Sequence, residues 1–206
     1  MSSTESYPLL RYIIAGTLAR QYVILPKGQS VIDGLGGSAL FAATGLGMWD
    51  KDAGIIARAG SDYPPEWLDV IRKHQFDIRG IRILPNPQDL RCFAAYPDFD
   101  TRLTTEPLAH FARAGLQVPP SLLGYNPPQQ QIDSRTQPTP MTLRLNDFPA
   151  DYKDATAAHI CPLDYLSQIL LPSALRQGRV NTLTLDPGEN FMNPTFWDDI
   201  PALVKG

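Results

Sequence analysis

Short apolar runs alternate with amphipathic segments along most of the chain, and this alternation predicts its secondary structure. Compact runs typical of buried strands occupy residues 11–16, 53–59, 156–161 and 181–185. Helical spacing follows at 38–49, after residue 62 up to about residue 74, at 164–177 and from 196 to 204. Asp164 is expected to cap the third of these helices. Strands that alternate with helices predict an α/β fold with a mainly parallel sheet, covered by helices on both faces.

Four β-rich fragments do not fit this central sheet. They occupy residues 21–25, 30–32, 81–84 and 90–96, and turn-forming residues join them at 26–28 and 85–87. We expect these fragments to form a small separate sheet, or lid, built from segments of about 18–33 and 81–105.

Residues 117–149 differ in character from the rest of the chain. They contain seven prolines and a polar run at 129–131, with little periodicity. This composition predicts a long surface loop or insertion, within which residues 141–145 form a short strand.

The predicted topology selects one edge of the sheet as the candidate functional edge. Ligands of open parallel sheets bind beyond the carboxyl ends of the strands. In this chain that edge holds residues 16–17, 60–62, 161–162 and Asp186. Structural roles compete with functional ones here, because Asp62 is expected to cap the next helix and Asp186, before Pro-Gly, to form a turn.

Composition narrows the function classes. The 206 residues suit one domain, and a net charge of -3 without a basic cluster argues against a nucleic-acid partner. No apolar run reaches the roughly 18 residues of a membrane span, so no membrane partner is expected. Cys92 and Cys161 stand far apart and outside metal-binding spacings, which favours free thiols in the cytoplasm. The histidines are equally scattered, and no metal ligand is predicted.

A glycine pair, Gly36 and Gly37, opens the first predicted helix. One interpretation is structural, a tight turn that feeds a helix. The other is functional, because residues without side chains let a ligand approach backbone N–H groups at a helix N-terminus. Residues 34–39 also satisfy the dinucleotide-binding pattern G-x-G-x-x-A, but only a short fragment at 31–33 precedes them where that motif needs a buried strand.

Two arginines of the predicted lid, Arg91 and Arg102, are candidate anion clamps. A solvated arginine on a strand is the alternative interpretation for both.

Three segments together resemble the N-terminal portion of PfkB-family (ribokinase-like) carbohydrate kinases. They are Gly36-Gly37-Ser38-Ala39 with Ala42-Ala43, then Gly54-Ile55-Ile56-Ala57-Arg58-Ala59-Gly60-Ser61-Asp62, then Phe76-Asp77-Ile78-Arg79-Gly80-Ile81. The resemblance covers roughly residues 10–105. From 156 to 206 it is a similarity of pattern only, and the segment 117–149 has no clear counterpart.

The resemblance implies a fold, an activity and a set of contacts. The implied fold is a three-layer α/β/α sandwich with a small β lid, and the implied activity is ATP-dependent phosphorylation of a hydroxyl of a sugar or nucleoside. ATP and Mg2+ are the implied cofactors, and a homodimer through the lid is the implied assembly. Substrate contacts are expected from Gly36, Gly37, Ser38 and Arg91.

Three departures from the family pattern limit what the resemblance implies. Residues 18–21 (Leu-Ala-Arg-Gln) stand where the family places an Asn and an Asp that hold substrate hydroxyls. Phe41 replaces an Asn of the first helix, and an apolar ring cannot replace an amide. The Gly-Ala-Gly-Asp motif, which supplies the family's anion hole and catalytic base, does not occur in the 206 residues.

These departures lead to two hypotheses. In the first, residues 1–206 are an incomplete ribokinase-like domain that carries the substrate-facing half, lacks the nucleotide-binding half and has no catalytic residue, so it is inactive alone. In the second, the chain is a non-catalytic module for small-molecule binding or dimerisation. The residue pattern leaves the identity of the phosphoryl acceptor open.

Overall fold

The protein is described by a computed structural model that covers residues 9–127 and 133–204. Within these ranges the strands are β1 Tyr12–Ala15, β2 Ala19–Ile24, β3 Ser30–Gly36, β4 Ala53–Ala59, β5 Asp77–Ile83, β6 Arg91–Ala95, β7 Ala157–Ile160 and β8 Thr182–Leu185. The helices are α1 Ser38–Leu46, α2 Pro65–Lys73, α3 Pro107–Arg113, α4 Tyr165–Leu175 and α5 Ile200–Val204.

A parallel sheet in the order β5-β4-β1-β7-β8 forms the centre of the molecule. Each neighbouring pair runs parallel, as the alternation of strands and helices predicts. Every residue of β4 is buried, which is why its sequence is an almost continuous apolar run rather than an alternating one.

Helices and loops cover the two faces of the central sheet with separate apolar cores. On one face α1 and α2 pack over β1 and β4, with Ala43, Ile55 and Ile71 among the buried side chains. On the opposite face α4 and the chain before β7 pack over the same strands, through residues such as Tyr152 and Leu171. The predicted three-layer α/β/α arrangement is confirmed.

A second sheet, with the order β3-β2-β6, forms the predicted small lid, and we call it the lid sheet. Strand β2 pairs antiparallel with β3 and parallel with β6. One lid face is covered by α3 and the 3-10 turn Pro120–Leu122, where Tyr22, Phe93 and Phe111 are fully buried. The expected boundary at residue 81 is wrong, because 81–83 complete β5 of the central sheet and the second lid segment begins with β6.

The segment 117–149 packs more closely than a surface loop. Residues 141–145 form turns instead of the expected strand, and Leu143 is only 1% exposed. The Leu143 amide donates to Ser167 Oγ on α4 at 2.8 Å, so a side chain takes the place of a strand partner. Residues 128–132 of the insertion lie outside the described residues.

A buried ion pair fastens this segment to the central sheet. Arg58 of β4 donates from Nε and Nη2 to the two carboxylate oxygens of Asp147, each at 2.8 Å. Its Nη1 donates to the Pro140 carbonyl at 2.7 Å. The two charged side chains are 6% and 1% exposed, so the pair is shielded from water.

Tyr152 fills a slot in the same face of the sheet. It is fully buried, and its ring occupies space that side chains at Gly54 and Gly80 would otherwise take, since a Cβ at either position would lie 2.8 Å from the ring. The phenol accepts from the Gly80 amide and donates to the Asp77 carbonyl, both at 3.2 Å. Gly54 therefore leaves room for this ring and for Leu10, whereas a Cβ at Gly80 would also lie 2.5 Å from the Ile55 carbonyl oxygen.

Two helix-cap predictions have opposite outcomes. Asp164 caps α4 as predicted, because its side chain accepts from the Ser167 amide. Asp62 does not cap α2, which begins after Pro64 without a side-chain cap. In the part of the chain that the structure describes, no helix is long and apolar enough to cross a membrane.

Candidate functional site

The carboxyl ends of the parallel strands meet at one edge, as the topology predicts. Residues 16–17, 60–62, 161–162 and Asp186 directly follow β1, β4, β7 and β8. The buried amide of Gln168 on α4 ties two of these ends together: its Nε2 donates to the Cys161 and Asp186 carbonyls at 2.7 and 2.6 Å. Its Oε1 accepts from the Gly188 amide at 3.2 Å.

The Gly36–Gly37 turn joins the lid sheet to α1 at this edge. Gly37 has φ +114, a conformation that side chains rarely adopt, and a Cβ there would lie 2.3 Å from the Thr17 carbonyl oxygen. Both glycines are buried by the protein itself. Backbone packing against the end of β1 is therefore sufficient reason for glycine at position 37.

Thr17 satisfies the first amide groups of α1. The Ser38 amide donates to Thr17 Oγ1 at 3.2 Å, and the Ala39 amide donates to the Thr17 carbonyl at 3.2 Å. In return the Thr17 amide donates to Ser38 Oγ at 3.0 Å, and the two hydroxyls lie 3.0 Å apart. Of the two interpretations of the glycine pair, the geometry favours the structural one, because these helix amides already have partners.

We expect Gly37→Ala to destabilise the protein by about 2–4 kcal/mol, since it adds a strained φ to a backbone collision. Chemical denaturation, with the midpoint and slope both recorded, measures the loss. Gly45→Ala in α1 is the matched control, because a Cβ there meets nothing within 4 Å and alanine favours a helix. A Gly37→Ala variant as stable as its parent would contradict the described turn.

Gly36 accommodates a side chain of the lid sheet. A Cβ at this position would lie 2.4 Å from the side-chain Cδ of Gln21 on β2. Gln21 therefore lies directly against the glycine turn. This contact was not predicted from the sequence, in which residues 18–21 only stand where the family places an Asn and an Asp that hold substrate hydroxyls.

Cys161 lies under the start of α1. Its thiol is 1% exposed and contacts the Ser38 carbonyl, with Sγ to O at 3.5 Å. Burial raises the pKa of the Cys161 thiol to about 11, so the group stays protonated near neutral pH and is a poor nucleophile.

Asp62 and Tyr63 follow β4 at the same edge. Asp62 accepts from the Gln88 amide at 3.0 Å, which holds the loop between β5 and β6. Tyr63 is 4% exposed, its ring meets Trp67 edge-on, and its hydroxyl has no hydrogen-bond partner among the described residues. Burial raises the pKa of Tyr63 above its ordinary value, so the phenol remains neutral.

Arg91 is engaged within the lid. Its Nε and Nη2 donate to the two carboxylate oxygens of Asp89, at 2.8 and 2.7 Å. Its Nη1 donates to the carbonyls of Ser121 and Leu123, and the guanidinium stacks over Tyr125 at 5.5 Å. These contacts fasten the covering segment to β6. Substrate binding by Arg91 stays a prediction.

The other candidate side chains lie apart from this cluster or on the surface. Arg102 and Asp186 are exposed, and Phe41 is 60% exposed in a 430 Å3 groove between α1 and α2. Gly34 and Gly36 belong to antiparallel strand β3, so the strand-turn-helix context of a dinucleotide-binding motif is not met. Within residues 9–127 and 133–204, no group of three or more His, Cys, Asp or Glu side chains could hold a metal ion.

Comparison with known sequences gives one short match. No family model matches the chain. A cytidine kinase from Thermococcus kodakarensis is 31% identical over 77 residues, which are 37% of this chain and 27% of that protein.

Comparison of structures gives matches over nearly the whole chain. A PfkB protein from Polaromonas has a TM-score of 0.58 at 14% identity, with 94% of this chain and 61% of that chain covered. A sugar kinase from Pyrococcus horikoshii has a TM-score of 0.56 at 15% identity, with 93% and 60% covered. A nucleoside kinase from Burkholderia thailandensis, solved with inosine, has a TM-score of 0.55 at 15% identity, with 86% and 51% covered.

The chain spans between 51% and 61% of the length of these three solved structures. The predicted resemblance to PfkB-family sugar and nucleoside kinases is confirmed, and the fold of this chain is the ribokinase-like α/β fold.

Proposed function

We propose that this chain forms the substrate-facing portion of a ribokinase-like kinase that phosphorylates a hydroxyl of a sugar or nucleoside. The observation that carries the proposal is the position of the lid sheet, which adjoins the edge where β1, β4, β7 and β8 end. The names of the similar proteins, sugar and nucleoside kinases, support the substrate class.

The proposed substrate position is the turn at Gly36, Gly37 and Ser38. The two glycines are buried by the protein itself, so the proposed ligand lies beside this turn, next to the lid sheet, rather than on the glycine backbone. The contacts of Arg91 support an indirect contribution, in which it orders the lid sheet that covers the position.

ATP and Mg2+, the implied cofactors, do not fit the described residues of this chain. The first two amides of α1 are bonded to Thr17, and the described residues hold no acidic cluster suited to a metal ion. The 206 residues also lack the Gly-Ala-Gly-Asp motif. We therefore assign no phosphoryl-transfer step to this chain, since that reaction depends on charge stabilisation around the phosphates.

We expect the 206-residue chain to bind a sugar or nucleoside without turning over ATP. Isothermal titration calorimetry against cytidine, inosine, ribose and fructose measures binding, and a coupled ADP-release assay measures turnover. A complete ribokinase-like kinase assayed in parallel is the positive control. ATP turnover above background in a clean preparation would contradict the proposal that the chain is inactive alone. If the chain bound none of the four ligands, the proposal that it forms the substrate-facing portion would be contradicted.

The second candidate function is a non-catalytic module that dimerises through the lid. Strand β3 is an edge strand of the lid sheet, and its residues Val31 and Ile32 are 42% and 43% exposed, so the edge can pair with another strand. Light scattering of the unliganded chain tests this function. A dimer that Val31→Glu converts to a monomer supports it, and a monomer at all concentrations opposes it.

The proposed compartment is the cytoplasm. Both cysteines are free thiols, Cys92 partly exposed and Cys161 buried, which suits a reducing environment.

A further inference from the structure

Strands β7 and β8 of the central sheet are covered on only one face. On the α4 side, Leu183 of β8 packs against the core that contains Ile160 of β7. On the other side α1 and α2 lie over β1 and β4, and β8 presents the exposed residues Thr182 and Thr184. Parallel sheets are normally covered on both faces. The α1 side of β7 and β8 is therefore an incomplete layer of this sheet.

A groove of 410 Å3 lies on this uncovered side, between α1 and the two strands, and we call it the β8 groove. Its walls are mainly apolar, and the residues that line it include Tyr12, Ala42, Gly45, Leu46, Ala157 and His159. The side chains of His159 and Thr184 pair with each other in the groove, with Nδ1 and Oγ1 2.8 Å apart. The groove therefore presents mostly apolar surface to an incoming partner.

Helix α1 presents small residues to the β8 groove. Ala42 and Gly45 lie one turn apart on its flank, and a Cβ at Gly45 would meet nothing within 4 Å. The distance between two packed helices depends on the size of the side chains at their contact, so small residues allow a close approach. The β8 groove is therefore suited to the apolar face of a helix that lies beside α1.

Strand β8 is also an edge of the central sheet. Among the described strands it pairs only with β7. The amides of Thr182 and Asp186 donate to carbonyls at either end of β7. Because amides alternate in direction along a strand, those of Leu183 and Leu185 point away from β7. These amides are available to a further strand.

The opposite edge of the sheet is protected, whereas β8 is not. Strand β5 carries Asp77, Arg79 and Arg82, and it is covered by α2 on one face and by Tyr152 on the other. Charged residues are a common protection of free strand edges against pairing. The β8 sequence Thr-Leu-Thr-Leu contains no charge. The unprotected edge and the uncovered groove thus belong to the same strand.

The described chain after β8 lies on the α4 face. Phe191, Phe196 and Leu203 pack there against Tyr165 of α4. Crossovers between parallel strands are right-handed, so a helix that links β8 to a strand beyond it lies on the same face as α4, the crossover from β7 to β8. A helix that fills the β8 groove is therefore not the direct continuation of β8.

We propose that the β8 edge and the β8 groove form a docking surface for a second polypeptide. The partner is an α/β segment that adds a strand to β8 and lays the apolar face of an amphipathic helix beside α1. The comparison of lengths supports this occupant, because the chain spans only 51% to 61% of three solved structures that share its fold. Pairing of two copies of this chain through β8 would bring no helix into either groove.

This inference rests on the proposed function, because it names the partner of the substrate-facing portion. The experiment co-expresses the 206-residue chain with the portion of the Polaromonas PfkB protein that follows the last residue matched to this chain. We expect the two polypeptides to copurify as a one-to-one complex in size-exclusion chromatography with light scattering. Hydrogen exchange in residues 182–185 should be slower in the complex, while exchange in β5 at the opposite edge stays unchanged.

Two substitutions on α1 test the position of the docking surface. Gly45→Leu places a side chain in the β8 groove and should weaken the complex by about tenfold or more, the effect of an overfilled contact. Thr44→Leu is the matched control, because it adds the same side chain at the next position, on the flank that faces α2, and should leave the affinity unchanged. Thermal melting of each variant alone checks that the fold is intact.

Three results would overturn the inference. They are failure of the two polypeptides to copurify, a complex that Gly45→Leu leaves as tight as the parent's, and a dimer of the chain alone that slows hydrogen exchange in residues 182–185. None of them bears on the proposed function, which is judged by calorimetry of the chain alone with the four ligands. A chain that docks the partner but binds none of those ligands contradicts the proposed function and leaves the docking surface in place.

Discussion

Replacement of Arg58 by methionine is expected to lower the free energy of unfolding by about 3 kcal/mol, the lower end of the range for breaking a buried ion pair. Asp147 is 1% exposed and loses both of its bidentate bonds in this variant. The Nη1 atom of Arg82 lies 3.8 Å from Asp147 Oδ1, but this arginine is about half exposed and compensates only in part. Urea denaturation at neutral pH measures the loss.

The matched control for this prediction is an exposed arginine on the same molecule. Arg72 pairs with Asp69 on the surface of α2, with both side chains about 60% exposed. Arg72→Met should change stability by less than about 1 kcal/mol.

A double variant isolates the penalty of the unpaired charge. Arg58→Met combined with Asp147→Leu replaces the pair by apolar groups and should recover most of the loss. If Arg58→Met alone lowered the free energy of unfolding as little as Arg72→Met does, burial of the Arg58–Asp147 pair would be contradicted.

Tyr152→Ala is expected to cost about 3–5 kcal/mol, because it leaves a cavity where a fully buried ring stood. Tyr152→Phe keeps the ring and removes only the hydroxyl, so about 1–2 kcal/mol is expected from the Gly80 amide that loses its partner. The difference between the two variants, measured by urea denaturation, separates packing from hydrogen bonding.

Gly54→Ala provides the coupling test for this slot. In the parent the added methyl collides with the Tyr152 ring, whereas in the Tyr152→Ala background that collision is absent. The substitution should therefore cost less in the second background, with a coupling of about 1 kcal/mol or more between the two sites. Additive costs would show that the ring does not occupy the slot.

The elements that the sequence predicted well are those specified by neighbouring residues. The continuous apolar run at 53–59 is strand β4 with the predicted bounds, and Asp164 caps α4 because its partner, Ser167, is three residues away. The edge formed by the strand ends follows from the parallel topology. In each case the pattern of neighbouring residues was sufficient to predict the observed element.

The predictions that failed depended on partners distant in sequence. Asp62 has the composition of a helix cap, but its carboxylate binds the amide of Gln88 instead. Residues 141–145 have the pattern of a strand, but Ser167 takes the amide of Leu143. The Arg58–Asp147 pair spans 89 positions, and no local pattern indicates such a contact.

The candidate site was predictable to a similar degree. The glycine pair was predicted to open the first helix and it does, but the reason for Gly36 is the stem of Gln21, which reaches it only after β2 and β3 pair. Helix α3 was not predicted, since its seven residues make fewer than two turns of periodicity before the proline-rich segment.

The bonds between Thr17 and the first turn of α1 have a mechanical consequence. Thr17 lies in the short connection between β1 of the central sheet and β2 of the lid sheet. Its hydrogen bonds with Ser38 hold this connection against the start of α1. Any rotation of the lid sheet about this connection has to break those bonds or carry α1 with it.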